Sequence, residues 1–115
     1  MTARRLVYLG TPEMAVPPLQ ALVQAGHEVA LVVTRTDKRR GRGGVLSPSP
    51  VKAAALELGL RVSHDLDDVL SAGAELGVVV AYGRLVPAAL LEPPGGIPMV
   101  NVHFSLLPRW RGAAP

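Results

Sequence analysis

The run Val29-Ala-Leu-Val-Val33 decides the fold of this chain. All of its residues are apolar, with no polar residue between them. A strand that is apolar on both faces is typical of a parallel sheet covered by helices on both sides. The run therefore predicts a buried central strand in a domain of the α/β class.

The segments on either side of this strand alternate between strand and helix patterns. Strands are predicted at residues 6–9, 61–63, 76–83 and from Met99 onward, and helices before Gly26, at 50–58 and at 65–72. Ser49 is a suitable N-cap for the second helix, and Pro50 suits its first position. This alternation predicts an open, mainly parallel sheet with helices on both faces.

Length and composition exclude several classes of protein. The chain of 115 residues is long enough for one small domain. It contains no cysteine, which excludes disulfides and thiolate metal sites and favours a reducing, cytoplasmic location. The three histidines have no metal-binding spacing, so no metal is expected. No apolar segment reaches the length of a membrane span, so no membrane association is expected.

Positive charge is concentrated in one segment. Half of the basic residues lie between Arg35 and Lys52, where Asp37 is the single acid. The residues 34–44 contain three glycines at their end and show no periodicity, which predicts a flexible exposed loop. Such a cluster indicates a polyanionic partner, although a solvated run of charge is the alternative.

The last stretch, residues 99–115, combines a strand with polar groups that suit catalysis. On a strand that begins at Met99, the side chains of Asn101, His103 and Ser105 share one face. An amide and a protonated imidazole both donate hydrogen bonds, and two donors aimed at one point stabilise an oxyanion. The alternative is structural, with Asn101 bonded to a turn and His103 satisfied within the fold.

The same stretch resembles a known motif. From Asn101 to Gly112 the sequence reads Asn-x-His-x-Ser-Leu-Leu-Pro-x-Trp-x-Gly, which is similar to the folate-site motif of 10-formyltetrahydrofolate-dependent formyltransferases. Within that family it most resembles the methionyl-tRNA formyltransferases. The segments 10–12, 49–52 and 81–83 are also similar to these enzymes, so the resemblance covers nearly the whole chain.

The resemblance implies a Rossmann-like fold and the transfer of a formyl group from 10-formyltetrahydrofolate to methionyl initiator tRNA, in support of translation initiation. It implies that Asn101 and His103 are catalytic, with His103 also a candidate for proton transfer. It implies a folate site at Tyr82, Gly83, Ser105, Leu106, Leu107 and Pro108, and tRNA binding by Lys38, Arg39, Arg40 and Arg42. A buried ring is the alternative role for Tyr82.

The family also uses an aspartate downstream of this motif and a C-terminal tRNA-binding barrel domain, and no position here supplies either. Residues 1–115 are therefore expected to be the N-terminal portion of the catalytic domain, inactive alone and monomeric when complete. Two other functions stay open: a formyltransferase for a small amine such as glycinamide ribonucleotide, and a non-catalytic nucleic-acid-binding module. The basic segment argues against the first, and Asn101 with His103 against the second.

Overall fold

The computed structural model of the protein describes residues 4–40, 44–83 and 97–102. Its strands are β1 (Arg5–Gly10), β2 (Glu28–Val33), β3 (Lys38–Arg40), β4 (Val45–Ser47), β5 (Val62–Ser63), β6 (Leu76–Val80) and β7 (Met99–Val102). The main sheet has the order β5-β2-β1-β6-β7, and each neighbouring pair in it is parallel. The predicted parallel α/β sheet is therefore confirmed.

Helices cover both faces of this sheet. A short 3-10 helix, Glu13–Ala15, leads into α1 (Val16–Gln24), which is followed along the chain by α2 (Pro50–Glu57) and α3 (Asp68–Ser71). Helices α1 and α2 contribute to one core cluster, which includes Tyr8 and Val32. Helix α3 contributes to a second cluster, which includes Leu9 and Val33. Because residues at odd and even positions of a strand point to opposite faces, these clusters lie on opposite sides of the sheet.

The central strands are apolar because neither of their faces meets water. The side chains from Leu6 to Leu9 are at most 2% exposed, and the strand predicted at 29–33 is β2. The hydroxyl of Tyr8 is buried with them and donates a hydrogen bond of 2.6 Å to the carbonyl oxygen of Ala15. Burial raises the pKa of this phenol above its ordinary value, so Tyr8 stays neutral and retains its hydrogen bond at physiological pH.

The helix ends follow their sequence signals except at α3. Ser49 Oγ accepts the backbone N–H of Lys52 at 2.9 Å, as expected of an N-cap. The helix predicted at 65–72 is shorter than expected, because α3 contains only Asp68–Ser71. The side chain of Asp65 accepts the N–H of Asp67 at 2.9 Å, and this bond closes a turn before the helix begins.

The prediction of an unstructured basic loop at residues 34–44 was wrong for part of the segment. Strand β3 pairs with β4 in an antiparallel hairpin, with Lys38 opposite Ser47 and Arg40 opposite Val45. This pair, called the basic hairpin below, is separate from the main sheet. Backbone hydrogen bonds between the strands define it, because β3 has no apolar side chain to bury.

Two glycines of the sheet tolerate a methyl group to different degrees, and this difference gives a test of the fold. A Cβ on Gly10 would lie 2.9 Å from the carbonyl oxygen of Val80, whereas a Cβ on Gly77 would meet the thioether of Met99 at 2.6 Å. Methionine is flexible and backbone is not. We therefore expect Gly10→Ala to lower the free energy of unfolding by about 1–3 kcal/mol, and Gly77→Ala by less. Denaturant unfolding measures both, and a larger loss from Gly77→Ala would contradict this packing.

Candidate functional site

The order of the strands identifies where a ligand is expected to bind. The chain runs from β1 outward to β2 and β5, and then returns to the other side of β1 to form β6 and β7. Open α/β sheets bind ligands outside the carboxyl ends of their strands, at the point where this direction reverses. Here that point lies between β1 and β6. The loops that follow these strands are joined by the hydroxyl of Thr11, which donates to the carbonyl oxygen of Tyr82 at 2.9 Å.

A cavity of about 270 Å³ opens beside this point, at the carboxyl ends of β1 and β2. Most of its lining residues have polar side chains, which include two cations, one acid and four hydroxyl groups. The lining residues are Thr11, Pro12, Glu13, Arg35, Thr36, Lys38, Ser47, Ser49 and Pro50. The cavity thus connects the switch point to the basic hairpin.

Asn101 lies at the same edge of the sheet. It is the third residue of β7, it stands opposite Val79 of β6, and its side chain is exposed. The alternation of the strand puts it on the face of Met99, which packs against the cluster that contains α3. The other residues predicted for this motif, His103, Ser105, Leu106, Leu107 and Pro108, lie outside the described residues. Their roles stay predictions.

Tyr82 and Gly83 follow β6 and have different environments. The ring of Tyr82 is buried in the cluster that contains Leu9 and Val33 and is 2% exposed. Gly83 is exposed and has a φ of +90°, which glycine adopts without strain. A ligand at this loop would therefore meet its backbone, so the predicted folate contact of these two residues stays a prediction that depends on main-chain atoms.

The predicted tRNA-binding residues are only partly described. Lys38 and Arg39 are exposed on β3, and no carboxylate within the described part of the chain pairs with either. Arg39 Nη1 donates to the carbonyl oxygen of Gly44, which closes the hairpin across its turn. Arg40 belongs to β3 by its backbone, whereas its side chain and the whole of Arg42 lie outside the description.

Sequence reasoning missed two groups of this site, Thr34 and Arg35. Thr34 is buried, and its hydroxyl lies 2.7 Å from Ser49 Oγ, which joins the end of β2 to the start of α2. Arg35 lines the cavity and has its Cδ near Gly83. Their position directly after a buried strand was the available signal, because such residues lie at the ligand-binding edge. Nothing in the sequence indicates the pairing of Thr34 with Ser49.

The described residues hold no other obvious class of site. Within residues 4–40, 44–83 and 97–102, no group of three or more histidine, aspartate or glutamate side chains is arranged to hold a metal ion. No helix in the same ranges is long and apolar enough to cross a membrane. A functional site among these residues therefore has to draw on the cavity, the exposed Asn101 and the basic hairpin.

Comparison with known proteins gives one family for the chain, and the similar proteins share one name. Residues 4–115 match the family described as "Formyl transferase". A methionyl-tRNA formyltransferase of Heliobacterium modesticaldum is 57% identical over 96% of the chain, and those of Clavibacter sepedonicus and Moorella thermoacetica are 58% and 51% identical over the same share. The matched stretch covers 37–38% of these relatives, so the chain spans less than two fifths of their length.

The double role of Ser49 gives a prediction for the architecture of the site. Ser49→Ala removes the N-cap of α2 and the partner of the buried Thr34 hydroxyl together, so we expect the free energy of unfolding to fall by about 1–2 kcal/mol. Ser71→Ala is the matched control, because Ser71 Oγ is exposed and donates only to the carbonyl of Asp68. Denaturant unfolding compares the two variants. Equal losses would mean that neither the N-cap bond nor the Thr34–Ser49 pair adds stability.

Proposed function

Since the chain belongs to the formyl transferase family, we propose that the protein containing it transfers a formyl group from 10-formyltetrahydrofolate to the amino group of methionyl initiator tRNA. The observation that carries the proposal is the identity of 51–58% to relatives named for this activity. The chain would then be the N-terminal portion of the catalytic domain. The protein would act in translation initiation, as a cytoplasmic monomer.

The reaction needs three things from its site. The lone pair of the α-amino nitrogen bonds to the formyl carbon, and the electrons of the C=O bond move to oxygen as an oxyanion. Collapse of this intermediate breaks the bond to the folate nitrogen, which gains a proton while the amine loses one. An α-amino group has a pKa near 7.7, so roughly a sixth is already neutral at pH 7. The site must therefore orient the amine, stabilise the oxyanion and move protons.

Asn101 is suited to the second of these tasks. Its amide donates hydrogen bonds, it is exposed, and it lies near the carboxyl end of β7 beside the switch point of the sheet. We propose that Asn101 and His103 stabilise the oxyanion together and that His103 also transfers a proton. Loss of one such donor typically costs about 3 kcal/mol of barrier.

The folate and the tRNA would approach this centre from different elements. For the folate we propose the backbone of Ser105–Pro108 together with the loop at Tyr82 and Gly83, where the exposed glycine leaves main-chain atoms accessible. For the tRNA we propose Lys38, Arg39, Arg40 and Arg42. The exposure of Lys38 and Arg39 and their lack of a carboxylate partner among the described residues support contacts with phosphates.

We expect Asn101→Ala and His103→Ala to lower kcat by about a hundredfold or more and to affect folate binding much less. Asn101→Asp is the sharper variant, because it keeps the shape of the side chain and removes its donors. It should therefore be as slow as Asn101→Ala. Formylation of methionyl-tRNA under saturating substrates measures kcat, and near-normal turnover in either alanine variant would refute the catalytic assignment.

We expect neutralisation of Arg39, Arg40 and Arg42 together to weaken tRNA binding and to flatten its dependence on salt, since each lost phosphate contact lowers the slope by about one unit. Folate affinity should not change. Arg4→Gln with Arg61→Gln is the control, because these exposed cations lie at the opposite, amino ends of the strands. If the triple variant keeps the slope of the parent protein, the segment is only a solvated run of charge.

A further inference from the structure

A polar cluster formed by Asp37, Lys52 and His64 lies at the base of the basic hairpin, and the function proposed above assigns it no role. Lys52 Nζ lies 3.0 and 3.3 Å from the two carboxylate oxygens of Asp37 and 3.5 Å from His64 Nε2. The other ring nitrogen of His64, Nδ1, lies 3.0 Å from the carbonyl oxygen of Thr34. Four parts of the chain meet here: the end of β2, the residue before β3, the first turn of α2 and the segment after β5.

The donors and acceptors of this cluster are complementary. Because the carbonyl of Thr34 can only accept and the ammonium of Lys52 can only donate, the geometry assigns the hydrogen to Nδ1 of His64 and makes Nε2 the acceptor. The ammonium of Lys52 therefore has acceptors on two sides, the carboxylate of Asp37 and the imidazole of His64. The positive charge of Lys52 is therefore paired within the protein, whereas Lys38 and Arg39 are exposed and pair with no carboxylate among the described residues.

The pair is partly shielded from solvent. The side chains of Lys52 and Asp37 are 22% and 32% exposed, whereas the exposed pair Arg4–Glu75 is 58% and 52% exposed. Ion pairs at the surface contribute little because water and salt screen them, and shielding makes such a pair stronger. Lys52 is also held at its backbone, because its N–H donates to Ser49 Oγ, which is itself bonded to Thr34.

We propose that Asp37 and Lys52 are positioning residues that fix the basic hairpin for tRNA binding. Segment 34–37 is attached to α2 at both of its ends, by Thr34 to Ser49 and by Asp37 to Lys52. Lys38 follows Asp37 directly, so the pair sets where β3 starts and where its cations point. This proposal rests on the proposed function, because it concerns the binding of that same tRNA.

For the loss of the Asp37 charge, the proposal predicts a change in tRNA affinity opposite to the change expected from charge alone. Asp37 is the single acid of the basic segment. If charge alone mattered, its neutralisation would remove a repulsion from phosphates and strengthen tRNA binding. If Asp37 positions the hairpin, its neutralisation weakens binding instead. Asp37→Asn is the discriminating variant, since it changes the charge and almost nothing of the shape.

The experiment measures affinity and KM for methionyl initiator tRNA with the protein that contains this chain. We expect Asp37→Asn to weaken binding about fivefold and to raise KM for tRNA, with kcat and KM for folate unchanged. Lys52→Met should have the same effect, and the double variant should be no worse than either single variant, because both remove one interaction. Lys52→Arg keeps the positive charge that pairs with Asp37, so it should retain most of the tRNA affinity that Lys52→Met loses.

The control is Glu75→Gln, which makes the same change of charge in an exposed pair at the amino ends of the strands. It should leave tRNA affinity unchanged or slightly stronger. A second measurement needs no tRNA: in Asp37→Asn, hydrogen exchange at the amides of β3 and β4 should be faster, while exchange in β1 is unchanged.

The outcomes separate the two proposals. If Asp37→Asn binds tRNA as tightly as the parent protein or more tightly, the positioning role is refuted and the proposed function stands. Additive losses in the double variant refute it as well, because Lys52 would then contact phosphate directly. If the parent protein does not bind methionyl-tRNA, the proposed function is wrong, and the exchange rates of the hairpin amides alone decide whether Asp37 and Lys52 hold it.

Discussion

Strand β1 is enclosed on all sides, and the rest of the structure depends on this enclosure. Parallel neighbours bond to both of its edges, and a core cluster packs on each of its faces. A charged or polar side chain in this position would lose its hydration without gaining a partner. The polar residues of the chain are therefore displaced to the ends of the strands. The carboxyl ends, where loops after β1, β2 and β6 converge, become the edge at which chemistry is possible.

Close packing at this edge also brings the ends of β1 and β6 and the loops after them together. Glycine fits best at position 10, because a Cβ there would approach the carbonyl oxygen of Val80 to 2.9 Å. Directly after β6, Ala81 has a φ of 51°, which is uncommon for a residue with a side chain. The bond from Thr11 to Tyr82 joins the two loops of the switch point beside this close contact.

Sequence patterns predicted those strands and helix ends that depend on residues close together in the chain. The unbroken apolar run at 29–33 identified a doubly buried strand, and Ser49 with Pro50 identified the start of α2. The basic hairpin was missed because Lys38-Arg39-Arg40 has no apolar alternation, and its attachment through Asp37 and Lys52 joins residues far apart in sequence. The sequence also left the ring of Tyr82 undecided. The left-handed turn at Ala81 interrupts the alternation that would have assigned it to a face.

If the basic hairpin binds tRNA as proposed, the placement of its charge matters more than the amount. At physiological ionic strength, exposed charges separated by more than about 8 Å are largely screened from one another. A net charge of +3 spread over the chain would therefore hold a polyanion only weakly. Cations bind phosphate strongly only when they are held at contact distance. Strand β3 has no apolar side chain that could pack it against the rest of the protein, so a polar interaction has to hold it. An acid among the basic residues weakens the long-range attraction of a polyanion. Asp37 nevertheless supplies the interaction that holds β3, because its partner Lys52 lies in the first turn of α2. That turn is itself bonded, through Ser49, to Thr34 at the end of β2.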